Sequence, residues 1–213
     1  MNENEIREIV RSVLAQTIKS TDSNSDKAIT VEASARHVHL CKNDVEALFG
    51  KGAVLTKKRD LSQPGEFLSE QRVRLVTPKG EIKNVAVLGP ERKATQVELS
   101  VTDIRQLGLD APVNLSGDLE GAEDVLIFSD KSFVVAKESV IVAKNHIHMT
   151  PKDAENFGVK DSQHVKVRVD SKRPVTFDDV VIRVNENFSL AMHIDFDEAN
   201  ACLLEKDTKG YIV

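Results

Sequence analysis

Four of the six histidines in this chain stand in two His-x-His motifs, His37-Val38-His39 and His146-Ile147-His148. On a strand, residues two apart project from the same face, so each motif can aim two imidazoles at one point. Neutral imidazole is the commonest metal ligand, and a zinc site with three protein ligands leaves a fourth position open to substrate. One such motif is weak support, because paired surface histidines are often only solvated. Two copies at matching places make a metal centre the better reading.

The places do match, because the chain repeats itself. Arg36-His37-Val38-His39-Leu40-Cys41-Lys42-Asn43-Asp44 returns as Asn145-His146-Ile147-His148-Met149-Thr150-Pro151-Lys152-Asp153. Each copy runs into a short acidic helical pattern ending in Phe-Gly, at Phe49-Gly50 and Phe157-Gly158, and a Gln (Gln71, Gln163) then precedes a Val-rich run. A period of roughly 100 residues is too long for a solenoid and points to an internal duplication. Laying Gln96–Asp103 over Ala191–Glu198 makes Glu98 and His193 equivalent, so they are nominated as third ligands, one in each half. Alone, Glu98 would read as an exposed strand carboxylate and His193 as a core imidazole. His164 has no counterpart and reads as structural.

An arginine near two dications makes sense if an anion comes between them, since a guanidinium pairs bidentately with phosphate or carboxylate oxygens. Arg92, in Gly89-Pro90-Glu91-Arg92, is the first candidate for that anion, with Arg36 and Arg183 as further substrate-binding candidates. Ser116, in the turn Ser116-Gly117-Asp118, could line the same pocket. Cys41 invites an acyl-cysteine reading, but its counterpart in the second copy is Thr150, which argues against a nucleophilic role.

The elements that must position these residues are mostly strands. The core has no Trp, one Tyr and eight Phe to draw on, so it must be built from Val, Leu and Ile, which suit a pleated surface. Short runs such as Ile29–Ala33, Arg72–Thr77, Ile82–Leu88, Gln96–Val101, Val140–Ala143, His164–Val169, Val180–Val184 and Leu190–Phe196 read as strands between turn signals. Helices are expected only at Lys42–Phe49, Thr102–Leu107, Pro151–Phe157 and Glu198–Leu204. The expected fold is mainly β: two similar small β-domains, barrels or sandwiches, with short helices, preceded by an amphipathic helix. That helix, within residues 1–20, places Ile6, Ile9, Val10, Val13, Leu14 and Ile18 at helical spacing, and residues 21–27 form a polar linker. It either docks on its own domain or binds a partner.

A net charge of −5 with no basic cluster speaks against nucleic acid or an anionic membrane as partner. No run approaches the ~20 apolar residues of a membrane span. Two cysteines, Cys41 and Cys202, make no disulfide framework and fit a cytoplasmic protein.

The motifs Arg36-His37-Val38-His39-Leu40, Pro90-x-Arg92-x-x-Thr95-Gln96-Val97-Glu98-Leu99-Ser100, Ser116-Gly117-Asp118, His146-Ile147-His148-Met149 and His193-x-Asp195-x-Asp197-Glu198-Ala199-Asn200-Ala201 together resemble the PduL-type phosphate propanoyltransferases, from about Ile29 to the C-terminus. The resemblance implies two β-barrels with a two-zinc site between them, His37, His39 and Glu98 as ligands of one zinc, His146, His148 and His193 of the other, and Arg92 as the phosphate-binding arginine. It also implies that residues 28–35 cross over to complete a barrel with 144–213, leaving 36–143 as the other. The substrates would be a short acyl-CoA (propanoyl or acetyl) and phosphate, the products acyl phosphate and CoA, in a reversible reaction. Related enzymes use an N-terminal extension for encapsulation, which implies microcompartment shell or core proteins as partners, a microcompartment lumen as a possible location, and room for a homo-oligomer. Two positions depart from the family: Asn145 and Asn114-Leu115 stand where arginine is expected, which bears on CoA-phosphate affinity or substrate range. Two other readings stay open on the residues alone. One is a metallohydrolase such as an acyl-CoA thioesterase, and the other is a non-catalytic metal-binding β-protein with closed sites.

Overall fold

The computed structural model describes residues 27–213. The amphipathic helix expected in residues 1–20, and all of its linker but Lys27, lie outside the described residues. In chain order the strands are β1 (Ile29–Ala33), β2 (His37–Cys41), β3 (Lys57–Asp60), β4 (Phe67–Val76), β5 (Glu81–Arg92), β6 (Gln96–Leu99) and β7 (Val113–Asn114). They continue as β8 (Glu123–Phe128), β9 (Phe133–Ala143), β10 (His146–Met149), β11 (His164–Asp170), β12 (Val175–Val184), β13 (Ala191–Ile194) and β14 (Lys209–Ile212). The helices are α1 (Lys42–Phe49), α2 (Val101–Leu107), α3 (Pro151–Phe157) and α4 (Phe196–Ala201).

These strands close two barrels of the same plan. The C-terminal barrel runs β1-β13-β10-β12-β11-β14 and closes through β1–β14. The central barrel runs β9-β6-β2-β5-β4-β8 and closes through β8–β9, with β3 and β7 added at β4 and β9. Parallel and antiparallel neighbours recur in the same positions: β2 is parallel to β5 as β10 is to β12, and β6 is parallel to β9 as β13 is to β1. The strand that completes the C-terminal barrel comes from the start of the described chain.

Alternation explains the two cores. Val165, Val167 and Val169 of β11 are buried while His164, Lys166, Arg168 and Asp170 are exposed. In β2, Val38 and Leu40 enter the central core, and in β10, Ile147 and Met149 enter the other. Each such side chain fully buried contributes about 1.5–3 kcal/mol. The histidines between them therefore project outward from their own barrel.

The helices are too short to be stable alone, and their ends are closely specified. Ser100 with Asp103, Thr150 with Asp153, and Asp195 with Glu198 form reciprocal capping boxes at α2, α3 and α4. Cys41 cannot do this for α1. There Thr95 intervenes, its Oγ1 accepting from the Cys41 N–H at 3.0 Å and donating to Asp44 at 2.5 Å. Cys41 thus holds the position of a helix cap, matching Thr150.

Several boundaries differ from expectation, β4 and β12 each starting five residues early among them. α4 starts at Phe196 because Asp195 is the cap, and it stops at Ala201; Leu203 beyond it has φ 48°. β5 continues through Gly89-Pro90 to Arg92 where Leu88 was the expected end, because Gly89 leaves room for the Phe67 ring; a Cβ there would lie 2.2 Å from Phe67 Cζ. β3, the first half of β9 and β14 were not expected as strands.

Candidate metal and anion site

Each His-x-His strand pairs antiparallel with the strand carrying its nominated third ligand. His37 stands opposite Glu98 in the β2–β6 pair, and His146 opposite His193 in the β10–β13 pair. Each third ligand lies two residues before a helix cap, Ser100 or Asp195, so the following helix fixes where its strand ends. Both groups open onto one cavity of about 380 Å³, lined by residues of both barrels, including His37, His39, Glu98, His146, His148 and His193.

In the central barrel, one donor atom from each of His37, His39 and Glu98 lies within 4.8 Å of the others, and all three residues are buried. Glu98 Oε2 is 3.5 Å from His37 Nε2, and Oε1 is 3.7 Å from His39 Nε2. In the C-terminal barrel the three imidazole centroids are 4.6, 5.0 and 5.4 Å apart.

The tautomers repeat as well. His37 Nδ1 pairs with the Ala35 carbonyl at 2.7 Å, and His146 Nδ1 with the Lys144 carbonyl at 2.8 Å. As donors to those carbonyls, both rings keep Nε2 as the atom that can face a ligand, the arrangement that orients a ligating histidine. The second histidine of each motif differs: His39 Nδ1 and His148 Nδ1 are buried without a hydrogen-bond partner among the described residues. An unpaired buried polar atom costs about 1–3 kcal/mol, a cost that ligation of the ring by a metal ion would offset at these two equivalent positions. Donor sets of two imidazoles with one carboxylate, and of three imidazoles, both fit zinc.

Electrostatics separate the two groups. Burial alone would lower His37, but the charge and hydrogen bond of Glu98 outweigh it and raise His37 above its usual range. Burial would raise Glu98, yet the neighbouring His37 and His39 hold it well below the usual carboxylate range. Glu98 therefore stays an anion that seeks a cation. In the other group no carboxylate intervenes. Burial and then His193 push His146 down to about 4, and burial with His146 and His193 pushes His148 to about 2. Burial also lowers His193. These rings are neutral at pH 7, as ligands must be.

Arg92 lines the cavity at the end of β5. It donates to Ser116 Oγ at 2.8 Å and to Glu66 Oε1 at 3.3 Å. Gln96 Nε2 donates to Glu98 Oε1 at 2.6 Å and to Ser116 Oγ at 2.9 Å, and the Gly117 N–H donates to Gln96 Oε1 at 2.9 Å. A continuous network thus joins Glu98 to Arg92 through Gln96 and Ser116. Arg183, opposite His148 in the β10–β12 pair, lines the same cavity, with its guanidinium 6.0 Å from the Phe188 ring centre; burial lowers its pKa. Arg36 does not line the cavity. Its guanidinium is 3.0 Å from Asp103 Oδ1, because the strand alternation that turns His37 to the cavity turns its neighbour away. Asn145, the counterpart of Arg36, donates to Glu198 Oε1 at 2.6 Å and lies outside the cavity lining as well. Asn114 donates to the Glu120 carbonyl.

Sequence reasoning gave no role to Gln63, Glu66, Gln96 or Phe188. Gln96 was within reach of it, being two residues before Glu98 and so on the same strand face. Gln63 was not: its amide crosses between barrels, donating to the Ser189 carbonyl at 3.0 Å and accepting from the Ser189 N–H at 3.1 Å. No local pattern marks a loop side chain for such a contact.

Residues 30–205 match the family model described as phosphate propanoyltransferase. The chain belongs to the phosphate propanoyltransferase family. It is similar to the Clostridioides difficile phosphate propanoyltransferase, 52% identical over 99% of this chain and 98% of the relative. A protein of the same name from Leptotrichia buccalis is 52% identical over 95% of this chain and 94% of its own length. The Thermotoga maritima protein of that name is 51% identical over 88% and 90%. Phosphate propanoyltransferases are acyltransferases, and the family match takes in the central barrel, the C-terminal barrel up to but not including β14, and all six nominated ligands.

Proposed function

We propose that this chain transfers a short acyl group, propanoyl or acetyl, reversibly between coenzyme A and phosphate, at a cleft where each triad holds one zinc ion. A phosphate oxygen attacks the thioester carbonyl carbon, a C–O bond forms, the C–S bond breaks, and CoA leaves as the thiolate. The observation that carries the reading is that two equivalent in-register pairs, His37/Glu98 and His146/His193, open onto one cavity with Arg92 and Arg183.

Zinc bound in such triads supplies Lewis acidity toward a carbonyl or thiolate. The chain's own residues do the rest. Arg92 offers guanidinium N–H groups to phosphate, and its contacts with Ser116 and Glu66 hold that fork in place before phosphate arrives. Placing phosphate beside the thioester replaces a bimolecular encounter, which lowers the barrier. Arg183 adds a second, half-buried positive charge facing the same space. In the same reading, residues 1–20 associate with microcompartment shell or core proteins, a role supported by their amphipathic spacing. A chain lacking them should keep its specific activity and lose that association.

The test is release of free CoA from propanoyl-CoA and acetyl-CoA, with and without phosphate, on protein of assayed metal content. Phosphate-dependent release with about two zinc ions per chain is the expected result. Phosphate-independent release would identify a thioesterase, and metal-loaded protein without release would indicate closed, structural sites.

A further inference from the structure

The residue before each His-x-His motif makes the same contact in both barrels. Arg36 precedes His37 and reaches Asp103 Oδ1 at 3.0 Å; Asn145 precedes His146 and donates to Glu198 Oε1 at 2.6 Å. Asp103 and Glu198 are the carboxylates at the third helical position in the capping boxes of α2 and α4. Those helices follow the strands that carry Glu98 and His193. Each contact therefore links the start of one ligand strand to the cap that ends its antiparallel partner, bracketing the pairs His37/Glu98 and His146/His193.

We propose that Arg36 and Asn145 are positioning residues that hold the two strands of each pair in register and so set the spacing of the metal-binding donors without touching substrate. The inference rests on the reading that the triads hold metal ions. Both pairs need such a brace, because β2–β6 and β10–β13 are each joined over only three matched residues. A small slide between strands would carry His37 away from Glu98. The two braces also differ in strength. Arg36–Asp103 is a charge-assisted pair whose carboxylate is buried. Asn145–Glu198 is formed by a neutral amide whose own Oδ1 is buried without a partner among the described residues. Outer partners of metal ligands typically govern affinity by about 10–100-fold.

The experiment uses the full chain as wild type, Arg36→Met, Arg36→Lys and Asp103→Asn. Zinc affinity is measured by competition with a chromophoric chelator, and thermal unfolding is followed on the metal-free proteins. The expected result is that Arg36→Met and Asp103→Asn weaken one of the two ions about tenfold or more and leave the other at wild-type affinity. Arg36→Lys, which keeps a charge in reach of Asp103, should recover most of the loss. Wild-type affinity for both ions in Arg36→Met would overturn the brace alone. An equal loss at both ions that tracks a fall in unfolding temperature, with no recovery in Arg36→Lys, would reduce the pair to general stability and also overturn it. No zinc bound by the wild type would overturn the metal reading itself, and the brace with it.

Discussion

His37 and Glu98 face each other across one register step of the β2–β6 pair, with His37 Nε2 3.5 Å from Glu98 Oε2 inside a buried group. The charge of Glu98 has no counterpart in the other triad, where His193 occupies the equivalent position opposite His146. The two halves of the duplication thus share one geometry and differ in charge.

Glu98→Gln keeps the shape of the side chain and removes that charge. His37 then loses the partner that raises it, and His39 and the glutamine remain as a poor donor set. Zinc content should fall from about two to about one per chain, and phosphate-dependent CoA release by about 100-fold or more. Elemental analysis and initial rates check this; two retained ions with near-normal turnover would show that Glu98 is not a ligand.

Arg92→Lys tests the anion site. Lysine keeps a charge but has no planar fork, and it cannot satisfy Ser116, Glu66 and phosphate together. Losing a charge-assisted hydrogen bond costs about 1.5–3 kcal/mol, which is about 10- to 150-fold in the KM for phosphate. The KM for acyl-CoA should stay within a few-fold. Steady-state kinetics with each substrate varied in turn separate the two, and a rise confined to acyl-CoA would place Arg92 elsewhere in the site.

How much of this could be read from the sequence depends on whether the signal was local. His37, His39, His146 and His148 were legible because period-2 spacing on a strand leaves a mark in four residues. The repeat brought in Glu98 and His193, though neither residue carries a signal of its own. β3 was illegible, since Lys57-Lys58-Arg59-Asp60 is exposed at every position and has no buried face to create alternation. Proximity in sequence to His37 makes Arg36 a substrate-binding candidate, whereas the pleat sends it to Asp103. Gln63 gains its partner Ser189 only when the two barrels meet, a contact made across more than half the chain.

Metal-stripped protein should lose stability on mild acidification. His146 is held at about 4 against an unfolded value of 6.5. Its contribution is fully present above pH 6.5 and is lost as pH falls toward 4, because the unfolded chain takes up the proton first. The difference corresponds to about 3 kcal/mol, and His148, pushed lower still, acts in the same direction. Denaturant unfolding of chelator-treated protein at pH 7.5, 6, 5 and 4 should show a progressive decline beginning near pH 6.5. His146→Gln should flatten that decline, and an unchanged slope in this variant would assign it to other groups.

Gly80→Ala probes how far the position of α2 matters to Glu98. Gly80 sits in the β4–β5 turn, and a Cβ there would lie 2.2 Å from the Gln106 carbonyl oxygen and 3.6 Å from Leu107 Cα. Both neighbours are backbone, so no side chain can rotate aside, and α2 must shift. That helix begins at the Ser100 cap, two residues after Glu98, and its Asp103 is held by Arg36. Overpacking of this kind costs about 1–3 kcal/mol. The shift should also reach the central-barrel triad, weakening one zinc ion while the His146/His148/His193 group is spared. Unfolding temperature and zinc affinity measured on the same variant check both parts. A lowered melting point with two wild-type zinc affinities would show that β6 holds Glu98 in place without help from its helix.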